Sequence, residues 1–274
     1  MSVSIRTNVA SLNAQRNMAQ TQTMLDSSLA KLSSGYRITQ AGDDAAGLGI
    51  STNLAAQIRS YSQAIRNAND GQSLIQAAEA GLNNSANILA RMRELAMQSA
   101  SDGVGTAERA YIQTENAALI SELARVAAVS EYNGTSLLNG VTTTLDFQVG
   151  VRGTANDRIS FVTMNATTTA LGVSALNLAT KTGSQAALTT IDTALGMVST
   201  SRSIIGAAGN RFNETITTIQ AFREALSAAN SRIRDVDVAE ETSNLTKAQI
   251  LAQAGISVLA QANQIPQLAL KLLG

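Results

Sequence analysis

The chain has no cysteine, no histidine and no tryptophan, and its 274 residues include one proline, Pro266. Without cysteine there is neither a disulfide framework nor thiolate chemistry, and the redox compartment cannot be read from that absence. Without histidine the commonest general base and metal ligand is gone, which lowers every enzymatic reading. Aromatics make up 3% of the residues while hydrophobics make up 45%. A core from this composition has to be packed from Ala, Leu, Ile and Val, which suits long helices better than compact α/β layers. Lys+Arg and Asp+Glu both number 20, so no sign of charge dominates. A nucleic-acid binder would carry a basic excess, whereas a neutral chain is prone to associate with itself. Residues 1–17 lack the uninterrupted apolar segment of a secretory signal, so if the protein leaves the cell it is expected to do so by another route.

What is abundant is amphipathic helix, most distinctively over residues 245–274. At ~100° per residue, Gln249, Gln253, Ser257, Gln261, Gln264, Gln267 and Lys271 gather on one mostly amide side. Leu251, Ile256, Val258, Leu259, Ala262, Ile265, Leu270, Leu272 and Leu273 cover much of the rest, and Ile250 and Leu268 intrude on the amide side. The apolar arc spans roughly 200°, twice the ~100° that one helix facing one core needs. The glutamines and Lys247 leave no ~20-residue apolar run, so membrane insertion is not expected. Several partners must cover this helix. Leu251, Val258, Leu259, Ile265, Leu270 and Leu272 form its expected assembly face.

At the other end, residues 2–32 carry two phase-shifted stripes: Ile5, Val9, Leu12 and Ala19, then Met18, Leu25, Leu29 and Leu32. Spacings of three, four and seven suit coiled-coil packing. Residues 36–49 read as a linker containing a helix start, with Asp43 and Asp44 where a helix N-terminus favours negative charge. No further ligand-like cluster accompanies them, so a paired-carboxylate or metal site is not inferred. From there to Gln98 no proline occurs, and a helix of about 55 residues would be a rod of roughly 80 Å. Residues 101–105 break it, Thr106 is the expected cap of the next helix, and that helix fades near Tyr132. Leu145, Phe147, Val149 and Val151 alternate as a half-buried strand, residues 153–157 are turn chemistry, and Ile159 to Phe161 begin a return strand. Residues 163–184 are expected to be irregular. A last rod helix, about 185–235, carries Leu188, Ile191, Leu195, Val198, Ile205, Phe212, Ile216, Ile219 and Leu226, with Arg202, Gly209 and Arg223 at other seam positions.

Six segments resemble the bacterial flagellins: TNVASLNAQRN (7–17), LSSGYRI with AGDDAAGLGIS (32–51), RNANDGQSLIQAAEAGL (66–82), LARMRELAMQSA (89–100), EYNGTSLLNG (131–140) and SNLTKAQILAQAGISVLAQANQIPQ (243–267). Together with the stretches between them they cover about nine-tenths of the chain in the family's order. The resemblance implies a mainly α fold, a long coiled-coil-like rod with one β-hairpin and paired terminal helices. Residues 1–43 with 236–274 would form the inner terminal domain and 44–235 the rod, with its hairpin near 145–163. The 163–184 stretch is too short for the outer variable domain of larger flagellins.

The function implied is a structural, non-enzymatic subunit of the flagellar filament. It would self-assemble for swimming motility, be exported unfolded through the flagellar type III apparatus and reside outside the cell. The alternative is the related hook–filament junction protein, which shares terminal motifs. No cofactor or metal is implied, and without histidine a His-Glu-x-x-His zinc motif cannot exist. An enzymatic Ser/Lys pair from Lys31 with Ser33 or Ser34 has nothing to orient it. Implied partners are many copies of the same chain, an export chaperone, the filament cap and hook-associated proteins, and weakly Toll-like receptor 5. The receptor-type patch maps to Arg91, Leu95 and Glu115, where Ala90 departs from the family's usual glutamine. The terminal segments are expected to order fully only on assembly. Asn133-Gly134-Thr135 and Asn165-Ala166-Thr167 match the N-glycosylation pattern by chance in a chain rich in these residues.

Overall fold

The computed structural model describes residues 7–273, with side chains described for 7–264. The expected helix start at Ser2, Ile5 of the first stripe, and the side chains of Ile265, Leu270 and Leu272 lie outside the described residues. Five helices follow in order: α1 (Val9–Ser34), α2 (Ala45–Ser99), α3 (Thr106–Val129), α4 (Lys181–Arg234) and α5 (Val238–Leu273). Two small antiparallel hairpins lie between α3 and α4: β1 (Glu131–Tyr132) with β2 (Thr135–Ser136), and β3 (Thr144–Gln148) with β4 (Arg158–Val162). The chain forms two compact units, Met1–Ala56 with Ala225–Gly274, and Gln57–Glu224. Both divisions fall inside long helices rather than at the turn signals that mark the sequence.

In the first unit the helix ends are set by local chemistry. Asn8 Oδ1 accepts from the Ser11 N–H at 3.0 Å and opens α1. Gly35 closes it at φ 73, donating its N–H to Lys31 O at 2.9 Å, a conformation glycine adopts without a Cβ penalty. Asp44 Oδ1 accepts from Gly47 N–H at 2.8 Å and starts α2. Asp43 instead binds back, accepting from the Thr39 N–H and Oγ1 at 2.9 Å and from the Gln40 N–H at 3.1 Å. These donors favour its charged form, the Thr39 backbone most, and lower its pKa to about 2. Asp237 Oδ1 accepts from the Ala239 and Glu240 N–H groups at 2.9 and 3.2 Å and opens α5. The two turns are tied together: Arg37 N–H donates to Arg234 O at 2.7 Å and Val236 N–H to Gly35 O at 3.0 Å. The Arg234 guanidinium lies over the Tyr36 ring at 4.1 Å from its centroid.

In the second unit α2 packs antiparallel to both α3 and α4. Among its buried positions, Ala64, Ala68, Gly71, Ile75, Ala78, Leu82, Ser85, Leu89, Met92, Ala96 and Ser99 form a series alternating four and three apart, with Leu74, Gly81 and Leu95 buried beside it. That spacing keeps one seam facing the partners along the helix. On α4 the deep positions are Ser184, Ala187, Ile191, Ala194, Val198, Ile205, Gly209, Phe212 and Ile219. Leu188 and Leu195 flank that seam instead of filling it. Arg202, expected in the seam, is exposed on the surface, 3.8 Å from Glu79. Thr106 does not cap α3; Gly105 is the cap residue and makes no side-chain cap bond.

The larger hairpin has the expected alternation: Leu145 pairs with Phe161 and Phe147 with Ile159. Phe147 meets Phe212 edge-on at 5.5 Å, and Asn67 Nδ2 donates to Gln148 O at 2.9 Å. The smaller hairpin follows α3 directly, where the sequence pattern shows only a fading helix. Its turn is Asn133-Gly134, with φ of 48 and 76, the primed two-residue geometry that Asn-Gly favours. Residues 163–180 are irregular, as expected, yet Ala166, Leu171, Val173 and Leu178 are buried in the main core. Met164 and Ala166 pin the segment by donating to Leu137 O and Leu138 O at 2.9 and 3.0 Å.

Candidate assembly surfaces

The first candidate surface is the antiparallel pair α1 and α5. Residues at least partly buried on α1 include Ser11, Ala14, Met18, Thr21, Leu25, Ser28 and Leu32; on α5 they include Glu241, Leu245, Ala248, Ala252, Gly255, Leu259 and Ala262. Each series alternates three and four apart, a heptad seam on both helices. Asn8 and Ser11 fix its register at one end: Asn8 Nδ2 donates to Ala262 O at 2.8 Å, and Ser11 Oγ to Asn263 Oδ1 at 2.8 Å.

The deepest seam residues are small or polar: Ser11, Ala14, Ser28, Glu241, Ala248 and Ala262. Met18, Leu25, Leu32, Leu245 and Leu259 enter it only half-buried, and many other large apolar residues point away. Val9 is 60% exposed and Leu12 55%, with Met24 and Leu29 also outside; on α5 Ile250, Leu251, Ile256 and Val258 are exposed. Of the two stripes on α1, Met18, Leu25 and Leu32 of the second enter the seam, while Val9 and Leu12 of the first do not. The expected assembly face divides in the same way. Leu259 belongs to the seam, whereas Leu251 and Val258 face outward. A groove of about 500 Å³ runs beside the seam, lined by Met24 and Leu251 together with Lys31, Glu241 and Lys247.

The second candidate surface is on α2 and α3. Arg91 Nε and Nη2 both donate to Glu115 Oε1, at 3.0 and 2.8 Å, and Nη1 donates to Glu94 Oε2 at 2.9 Å. Its carboxylate partners, Glu94 most and then Glu115, raise the arginine pKa further above its ordinary value. Arg91 and Glu115 are therefore brought together as expected. Leu95 is not part of that exposed pair: it is 2% exposed and lies in the core. The periodic pattern accounts for this, because Leu95 is three residues past Met92, on the seam side of α2.

Asn116, beside Glu115, is fully buried with neither amide atom hydrogen-bonded. Its core position follows Ile112 by four residues, a spacing that could have placed it in the apolar series of α3. Among the described residues no group of three or more His, Cys, Asp or Glu side chains is placed to hold a metal. No helix among them is long and apolar enough to cross a membrane.

Long antiparallel helices with paired N- and C-terminal helices define the class as a mainly helical, coiled-coil-like protein. Comparisons with known proteins place it. Residues 5–143 match the bacterial flagellin N-terminal helical region, and 188–273 match the bacterial flagellin C-terminal helical region. The chain is 40% identical over 269 residues to a flagellin of Halalkalibacterium halodurans, covering 98% of this chain and 99% of that one. It is 39% identical over 285 residues to the flagellar filament 33 kDa core protein of Treponema phagedenis, again covering 98% and 99%. Polar flagellin A of Vibrio parahaemolyticus aligns over 376 residues at 33% identity, covering all of both chains. The crystal structure of Bacillus cereus flagellin shares the fold, with a TM-score of 0.51 at 24% identity over 56% of this chain and 88% of that one. The chain belongs to the bacterial flagellin family, non-enzymatic structural proteins of the extracellular flagellar filament.

Proposed function

We propose that this chain is exported unfolded through the flagellar type III apparatus and self-assembles into the helical filament. The inverted α1–α5 pair carries this reading. Ordering its 26 and 36 residues costs on the order of 1–2 kcal/mol each in backbone entropy. A buried alanine methyl contributes only about 0.8 kcal/mol, against roughly 1.5–3 for a fully buried Val or Leu. A seam whose deepest positions are Ala and Ser, with its larger residues only half-buried, offsets little of that cost, and Val9, Leu12, Leu251 and Val258 are left outside. Further copies covering Val9, Leu12, Leu251 and Val258 supply the missing burial through repeated, non-closing contacts.

In this reading residues 1–43 with 236–274 make the inner domain, 44–235 the rod, and no outer variable domain is present. The alignment with the longer Vibrio relative, 376 residues against 274, is consistent with that economy. Before export, the same outward row is the surface for a chaperone. Filament cap and hook-associated proteins would meet the growing polymer. Toll-like receptor 5 would meet the monomer weakly, through Arg91 and Glu115. Electron microscopy of concentrated purified protein tests the proposal: long tubular filaments are expected. Discrete junction particles or persistent monomer would overturn it. A chaperone binding equally well to protein truncated after Ser243 would remove its part of the account.

A further inference from the structure

Two Asn-Gly pairs occur in the chain, and the fold treats them differently. Asn139 is half-buried, its Oδ1 accepts from the Val141 N–H at 3.1 Å, and it bridges Asn165 of the neighbouring segment. Gly140 is packed so closely on the Asn165 amide that an added Cβ would lie 2.9 Å from it. Asn133 is exposed, with φ of 48; its side chain makes no hydrogen bond, nor does the Gly134 N–H. Gly134 is exposed too, with nothing within 4 Å of an added Cβ. Two residue pairs, Glu131 with Ser136 and Tyr132 with Thr135, close the turn, and the Leu137 N–H donates to Ser130 O at 2.9 Å at its base. The base of the hairpin is anchored by the core residues Leu137 and Leu138, whereas its tip at Asn133 and Gly134 stands in solvent.

We infer that Asn133 is a site of spontaneous covalent modification, converting to aspartate and isoaspartate through a succinimide while Asn139 is spared. The Gly134 amide nitrogen, having given its proton to hydroxide, attacks Cγ of Asn133. An N–Cγ bond forms, the Cγ–Nδ2 bond breaks, and Nδ2 leaves as ammonia after protonation by water. Water then opens the ring at either carbonyl. Opening at Cγ restores the main chain with an aspartate; opening at the backbone carbonyl routes the chain through Cβ as isoaspartate. The net change is asparagine plus water to acid plus ammonia, without oxidant or reductant. Glycine at 134 puts no side chain in the way of the ring. Each event makes a subunit of formal charge zero one unit more negative, on a turn directly preceding the fully buried Leu137 and Leu138.

The test is incubation of the purified full chain at mildly alkaline pH, with isoelectric focusing and fragment sequencing of tryptic peptide 126–152, which carries both asparagines. An acidic species is expected that grows faster as pH rises, with conversion at Asn133 well above that at Asn139. The Asn133→Gln variant should lose that species, because its longer side chain closes a larger ring far less readily. Conversion at Asn139 equal to or above that at Asn133 would overturn the inference. So would no conversion at Asn133, or an acidic species undiminished in Asn133→Gln.

Discussion

Gly71 faces the ring of Phe212, and an added Cβ would lie 2.6 Å from its Cζ. Alanine in a helix interior is favoured over glycine by roughly 1 kcal/mol, but overpacking a tight core costs typically 1–3 kcal/mol. Because Phe212 is buried and also held edge-on by Phe147, it has little room to turn aside. Gly71→Ala is therefore expected to lower stability to urea, and Gly71→Ala with Phe212→Leu to recover part of the loss. A stabilised single variant would show that the ring yields. Asp43 gives a pH prediction. Its folded pKa, about 2, lies below the ordinary 3.8. Its contribution is therefore complete above the ordinary value and lost as pH falls from there through about 2. The stability gap between the native chain and Asp43→Asn should be level near neutrality and close over that acid window in denaturation curves. With no histidine in the chain, no imidazole adds a step near pH 6.5.

At the scale of elements, the two faces of the terminal pair predict opposite behaviour. Leu251→Ser with Val258→Ser changes only outward residues. Filament yield by sedimentation should collapse while the thermal transition of the second unit stays within about 0.5 kcal/mol. Arg91→Ala, which removes bonds to both Glu94 and Glu115, should impair both assembly and any receptor binding. A variant that assembled normally and lost only receptor binding would separate the two surfaces. Helix existence was legible because long stretches without proline hold a three-four rhythm, as α2 and α4 do. The larger hairpin was legible from its period of two. The α1–α5 seam was legible only in part: the stripe of Met18, Leu25 and Leu32 enters it, but apolar periodicity follows large side chains, and its deepest positions are Ser11, Ala14, Ala248 and Ala262. Leu95 was misplaced for a related reason: sharing a helix face with Arg91 does not decide which residue meets solvent. The smaller hairpin rests on two residues per strand, too few for a periodic signal, although Asn133-Gly134 was a turn signature in plain view.

For the whole molecule, the expectation that the terminal helices order fully only on assembly becomes an exchange experiment. Amides of the α1–α5 pair should exchange much faster than those of α2 and α4 in dilute protein, and slow sharply in the polymer. Equal protection in dilute protein would contradict it. The tie between the two turns has a mechanical consequence. Because α1 and α5 are antiparallel, pulling the chain by its two ends loads their seam one layer at a time, like a zipper, and small-residue layers give way at low force. The opening then runs into residues 35–37 and 234–236, where two backbone hydrogen bonds and the Tyr36–Arg234 stack take up load together. An optical-trap record should show a gentle unzipping slope ending in a distinct rupture, and Arg234→Ala should lower that rupture force without altering the slope before it. The clasp acts as a mechanical stop, so that tension reaching one turn is borne by both.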